Sequence, residues 1–138
     1  MKRSTIVMLL SAAIAVAACG QSQQDKAKTQ VCDARADVSK QVDTLRGLTL
    51  STATVDGVTA NLKAIRDDLG TIAGAQADLS DSRRQQVQAA NKAFTDQLRS
   101  TAANVGRSLS VADAKTQLKD ATTQLASTYK NTLGRIDC

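Results

Sequence analysis

The stretch that decides the fold is VDGVTANLKAIRDDLGTI, Val55 to Ile72. Its apolar residues Val55, Val58, Leu62, Ile65, Leu69 and Ile72 alternate steps of three and four without exception. A helix turns once in 3.6 residues, so that spacing collects all six side chains on one stripe. The opposite positions carry Lys63, Arg66, Asp67 and Asp68, which suit solvent. Two heptads of such a seam predict an amphipathic helix that buries its stripe against other helices, in the manner of a coiled coil. Gly70 and Gly74 are poor helix formers, so the end of this helix is expected to fray there.

The same period continues on either side. Upstream, Val31, Ala34, Val38, Val42, Leu45 and Leu48 predict a first helix ending around Gly47, with Thr49 to Thr54 as a connection. Downstream, Ser82 with Gln85 fits a capping box and starts a third helix carrying Val87, Ala90, Phe94, Leu98, Thr101 and Val105. Gly106 closes it. Ser110 with Asp113 is a second box, opening a fourth segment lined by Val111, Leu118, Leu125, Tyr129, Leu133 and Ile136. The absence of proline fits long uninterrupted helices, since proline inside one costs roughly 3 kcal/mol. The expected fold class is therefore all-α, an antiparallel up-down bundle of four helices with coiled-coil-like packing. A strict seam also serves an intermolecular coiled coil, so a homo-oligomer stays open.

The start of the chain obeys different rules. Lys2 and Arg3 precede an apolar run, Ile6 to Ala18, broken only by Ser11. The run is about 13 residues, short of the roughly 20 that a spanning helix needs. Charge, apolar run and small residues in that order describe a secretory signal. Its last residues, Val16-Ala17-Ala18-Cys19, resemble the lipobox of bacterial lipoproteins. The resemblance covers the leader only. It implies that residues 1–18 are removed, that Cys19 receives the lipid, and that the chain is held on a membrane through it. In lipoproteins of Gram-negative bacteria, Asp after the cysteine often retains the protein at the inner membrane. Gly20 departs from that signal, implying the outer membrane facing the periplasm. In a single-membrane envelope the anchor becomes the outer face of the plasma membrane.

Residues 19–30 are then expected to be the lipidated cysteine and a flexible tether, since Gly20 to Gln30 lacks apolar periodicity. Residues 31–138 form the bundle domain. Two cysteines remain, Cys32 and Cys138. An even pair in an exported chain is most simply a disulfide, with an intermolecular bridge or two free thiols as the alternatives. In an up-down bundle the first helix starts and the fourth ends at one pole. Bridge geometry therefore favours an even helix count over three. That agreement is lost if Gly70–Gly74 merely bends one long helix.

Composition removes most chemistry. Cutting before Cys19 takes two of the 18 basic side chains and none of the 13 acidic ones, lowering the formal charge from +5 to +3. That surplus is too weak to argue for an anionic partner. With one Phe, one Tyr and no Trp, stacking aromatics for nucleic acid are missing. There is no His and no Glu, so Ser-His-Asp catalysis and the usual His-based or Glu-x-x-His metal sites lack their parts. Ser127-Thr128-Tyr129-Lys130 spells the S-x-x-K of serine β-lactamases. It lies late in a helix, though, and without the companion motifs of that family. Tyr129 reads as a core aromatic with its hydroxyl near the bundle end. Asp67-Asp68 points two ways around a helix and reads as a solvated face. Arg83-Arg84 opposes the dipole of the helix it starts, and reads as a solvated end or a contact for an acidic partner.

No catalytic residue, cofactor or metal is expected. The favoured reading is a non-enzymatic lipid-anchored spacer, adaptor or subunit of an envelope assembly, with an envelope protein as partner. The runner-up is an anchored ligand-binding or inhibitor module. For that reading, small residues (Ala60, Ala64, Ala73, Ala90, Ala102, Ala121) would leave a groove between helices.

Overall fold

The computed structural model describes residues 22–51, 55–108 and 114–138. Four helices run through them: α1 Gln23–Ser51, α2 Val55–Ala75, α3 Asp81–Ser108 and α4 Ala114–Asn131, and no strand occurs among the described residues. Short 3₁₀ turns follow α2 at Gln76–Asp78 and α4 at Leu133–Arg135. α1 packs most extensively on α2 and α3 on α4; contacts of α1 with α4 and of α2 with α3 close the ring, and α2–α3 is its sparsest seam. Neighbours run antiparallel. Going up α3 from Arg83 through Gln86 to Phe94, the partners on the C-terminal side descend from Asp137 through Arg135 to Tyr129. The all-α up-down bundle is thus the observed fold.

The stripes face inward as their spacing requires. Val58, Leu62, Ile65, Leu69 and Ile72 of α2 are buried, as are Val31 to Leu45 at the expected positions of α1 and all six seam residues of α3. Leu118, Leu125, Leu133 and Ile136 join them, with Phe94 the largest fully buried side chain. Tyr129 packs edge-on against Phe94, centroids 6.0 Å apart at 79°. Its hydroxyl donates to the Arg35 carbonyl of α1 at 3.1 Å, so the one tyrosine does serve as a core aromatic with a polar tip. Gly134 lets the last turn fold close beneath it: a Cβ there would lie 3.1 Å from the Tyr129 carbonyl oxygen.

Several boundaries differ from expectation. Much of the stretch expected as tether is helix, because α1 begins at Gln23. Ser22 and Asp25 explain it: the Asp25 N–H donates to Ser22 Oγ at 3.1 Å, and Ser22 Oγ donates to the Asp25 carboxylate at 2.8 Å. That reciprocal pair caps the helix, and Ala27, four residues before Val31, extends the buried stripe by a turn. α2 does not stop at Gly70 or Gly74, since Ile72 and Ala75 are held in the core beyond them. α3 starts two residues earlier than the Ser82–Gln85 box would place it. The Arg84 N–H bonds the Ser80 carbonyl at 2.7 Å, which puts Ser82 inside the first turn. α3 also runs past Gly106 to Ser108. Leu48 is only half-buried. The expected Ser110–Asp113 box and Val111 lie outside the described residues.

Candidate functional site

Cys19 and its lipobox lie outside the described residues. Cys32 and Cys138 are joined, with Cα atoms 5.7 Å apart and a sequence separation of 106. The pole they share is built from the start of α1, the α2–α3 turn and the chain's last residues. Arg35 Nη1 donates to the Ile136 carbonyl. Arg83 Nη1 donates to the Asp137 carbonyl at 2.7 Å. The disulfide therefore closes a pole that side chain-to-backbone bonds also hold.

The arginine doublet is not a solvated end. Arg84 turns back from α3 and donates to three carbonyls of the preceding segment: Gln76 at 3.1 Å, Ala77 at 3.0 Å and Leu79 at 3.0 Å. These carbonyls lie where α2 runs out into its 3₁₀ turn, the negative end of that helix's dipole, and the Gln76 carbonyl also accepts the Leu79 N–H at 3.2 Å. The residue that opposes one dipole thus complements another. Buried Leu79 and Ala75 seal the core under this clamp.

The remaining polar candidates are structural or solvent-facing. Ser127 and Lys130 are both exposed on α4, whereas S-x-x-K catalysis places its serine at a buried cleft. Asp67 pairs with Lys63 at 2.7 Å on the surface. Asp68, expected to be solvated, instead accepts from Gln41 Nε2 at 2.8 Å across α1–α2. Among the described residues no group of three His, Cys, Asp or Glu is placed to hold a metal. No described helix is long and apolar enough to cross a membrane.

A concavity runs along the α2–α3 seam, with a volume of about 570 Å³. α2 contributes Arg66, Leu69 and Gly70; α3 contributes Asn91, Leu98 and Arg99. Ala73 and Thr95 also line it, and among the described residues no acidic side chain does. Of the small residues expected to open a groove, only Ala73 borders this cleft. Ala90 and Ala121 are buried in the core, Ala64 and Ala102 half-buried, and Ala60 exposed. Gly70 makes the opening: a Cβ placed on it meets nothing within 4 Å. Its φ is not positive, so the backbone does not require glycine there.

Asn91 is the residue that sequence reasoning passed over. It is 8 % exposed. Its Nδ2 reaches the Leu69 carbonyl at 3.4 Å, but its Oδ1 is buried with no hydrogen-bond partner. The signal was available, since Asn91 follows Ala90 on the seam side of α3 and an amide there is out of place in an apolar stripe. Beside the cleft, Asp96 contacts Arg99 only at 4.0 Å and bonds Lys92 at 2.7 Å. The Lys92 hydrogen bond, then its charge, holds the Asp96 carboxyl below the usual carboxylate range. Compared with known proteins, the chain matches no family model, no curated protein and no solved structure.

Proposed function

We propose that this chain is an exported lipoprotein whose four-helix domain is held on the cell envelope by lipid on Cys19. There it acts without catalysis, as a spacer, adaptor or subunit of an envelope assembly. The observation that carries the reading is the pairing of Cys32 with Cys138. A disulfide persists in oxidising compartments, as export to the envelope requires. It also leaves Cys19 as the single unpaired thiol, at the position where the lipobox resemblance puts lipid. One acyl signal gives only marginal membrane binding, so stable anchoring needs the multiple chains that lipoproteins carry. The lack of His and the exposed Ser127 and Lys130 support the non-enzymatic part. Gly20 after the cysteine favours the outer membrane where two membranes exist, with the domain facing the periplasm and an envelope protein as its partner.

Intact mass of the protein extracted from membranes, before and after reduction with thiol alkylation, tests this directly. The expected result is a chain starting at Cys19 with acyl mass, in which Cys32 and Cys138 are alkylated only after reduction. An unlipidated chain beginning elsewhere removes the anchor. The runner-up, a ligand-binding module, is favoured by the α2–α3 cleft.

A further inference from the structure

We infer that the α2–α3 cleft is a binding site for a small anionic amphiphile that carries a hydroxyl: an anionic head at Arg66 and Arg99, an apolar body over Leu69 and Leu98, and the hydroxyl donated to Asn91 Oδ1. This inference stands on the bundle alone and does not need the lipid anchor.

Three independent features of the cleft ask for those three parts. First, charge: Arg66 and Arg99 border it and no acidic residue among the described ones does, and Arg66 has no ion-pair or hydrogen-bond partner among the described residues. Arg99 has only the long contact to Asp96, whose short bond goes to Lys92. Guanidinium is a planar fork of donors suited to carboxylate or phosphate oxygens. Second, polarity: Asn91 holds a buried acceptor that nothing satisfies. Leaving such a group unpaired is costly; it is covered in the unliganded seam, so a ligand O–H or N–H removes that cost once the amide gives up its long 3.4 Å bond to the Leu69 carbonyl and turns into the cleft. Third, space: Gly70 sits inside α2, five residues before its end, where alanine would fit without contact and favour the helix. The glycine's effect is to keep the seam open.

The dimensions agree. Arg66 to Ala73 spans about 10 Å at the helical rise of 1.5 Å per residue. The cleft volume of about 570 Å³ falls within the roughly 300–1,000 Å³ of small-molecule sites. The lining is mostly apolar, with a few convergent polar groups, as such sites are. A ligand with a carboxylate head and one with a phosphate head share this chemistry.

The test is calorimetric titration of the full-length chain in a non-ionic detergent with four soluble probes: 3-hydroxyoctanoate, octanoate, octyl phosphate and 1-octanol. Saturable binding of 3-hydroxyoctanoate is expected, with octanoate about tenfold weaker for want of the Asn91 hydrogen bond and no binding of 1-octanol. Arg66→Gln or Arg99→Gln should weaken both acids by about tenfold each. Asn91→Leu should erase the preference for the hydroxylated acid. Gly70→Phe should abolish binding while the helical circular dichroism is unchanged. Octyl phosphate binding with the same mutant pattern also supports the site and assigns it to phosphate heads. No saturable binding of any anion overturns the inference, as does binding that Gly70→Phe leaves intact. A dimer seen by sedimentation that Gly70→Phe dissolves overturns it too, giving the cleft to a second copy of the chain.

Discussion

Breaking the Cys32–Cys138 bridge is the perturbation with the largest expected effect, and its size follows from topology. The two cysteines are separated by 106 positions. Cross-linking a loop of that size removes chain entropy from the unfolded state equivalent to about 4.7 kcal/mol at 25 °C. Domains of this size are typically stable by about 5–15 kcal/mol, so the bridge supplies roughly a third or more of the total. The perturbation is Cys32→Ser with Cys138→Ser, studied by urea unfolding followed through helical circular dichroism. With a urea slope near 2 kcal/mol per molar, the midpoint should fall by about 2 M. The entropic origin makes a second, sharper demand. Since the bridge acts on the unfolded chain, α4 and α1 should still pack in the reduced protein, and Tyr129 should stay protected. A loss below about 1 kcal/mol, or a loss confined to fraying of residues 133–138, would refute the reasoning, because the bridge would then be a local clip and not a global constraint.

Further expectations follow from the polar groups of the core and its caps. Thr101 is fully buried with an unpartnered hydroxyl, so Thr101→Val should stabilise by about 1–2 kcal/mol, raising the melting temperature by several degrees. A decrease would mean that the hydroxyl has a partner. Arg84→Lys keeps the charge but cannot reach three carbonyls at once; it should cost about 1 kcal/mol, nearly as much as Arg84→Gln, in the same urea assay. Full rescue by Lys would show that only charge matters at this turn. Gly70→Ala should stabilise by about 0.5–1 kcal/mol, since the added methyl meets no atom and the helix gains propensity; destabilisation would mean that the helices close over the cleft. Asp96, held low by Lys92, should titrate below ordinary aspartate in a carbon-detected NMR titration, and Lys92→Gln should raise it. Its depressed pKa makes the associated stability present at neutral pH and lost as pH falls through the folded value. An Asp96 titration unmoved by Lys92→Gln would refute that cause.

What the sequence determined by itself was the helical architecture. Periodicity is a local property: a stripe such as Val58-Leu62-Ile65-Leu69-Ile72 can be buried only if the chain is helical and another apolar face covers it. The even helix count followed from the cysteines, because an antiparallel ring is what brings Cys32 and Cys138 to one pole. Local capping was partly legible. The Ser22–Asp25 pair was there to be read and places the start of α1 at Gln23. The Ser82–Gln85 pattern matched, yet Ser80 opened the helix, since two serines compete at that turn and core packing of Leu79 selects between them.

Only the tertiary structure decided the fate of the polar groups. Arg84 looked misplaced on its own helix, and its role appears only once the end of α2 is folded against it. Asp68 looked solvated until Gln41, 27 residues away, was brought across the α1–α2 seam. The α2–α3 cleft depends on which small residue faces an open seam: Gly70 does, while Ala90 and Ala121 are packed into the core. The physical reason is one of range. Burying a stripe needs only the order of residues along one helix, whereas satisfying a guanidinium or an amide needs a particular atom from a distant part of the chain.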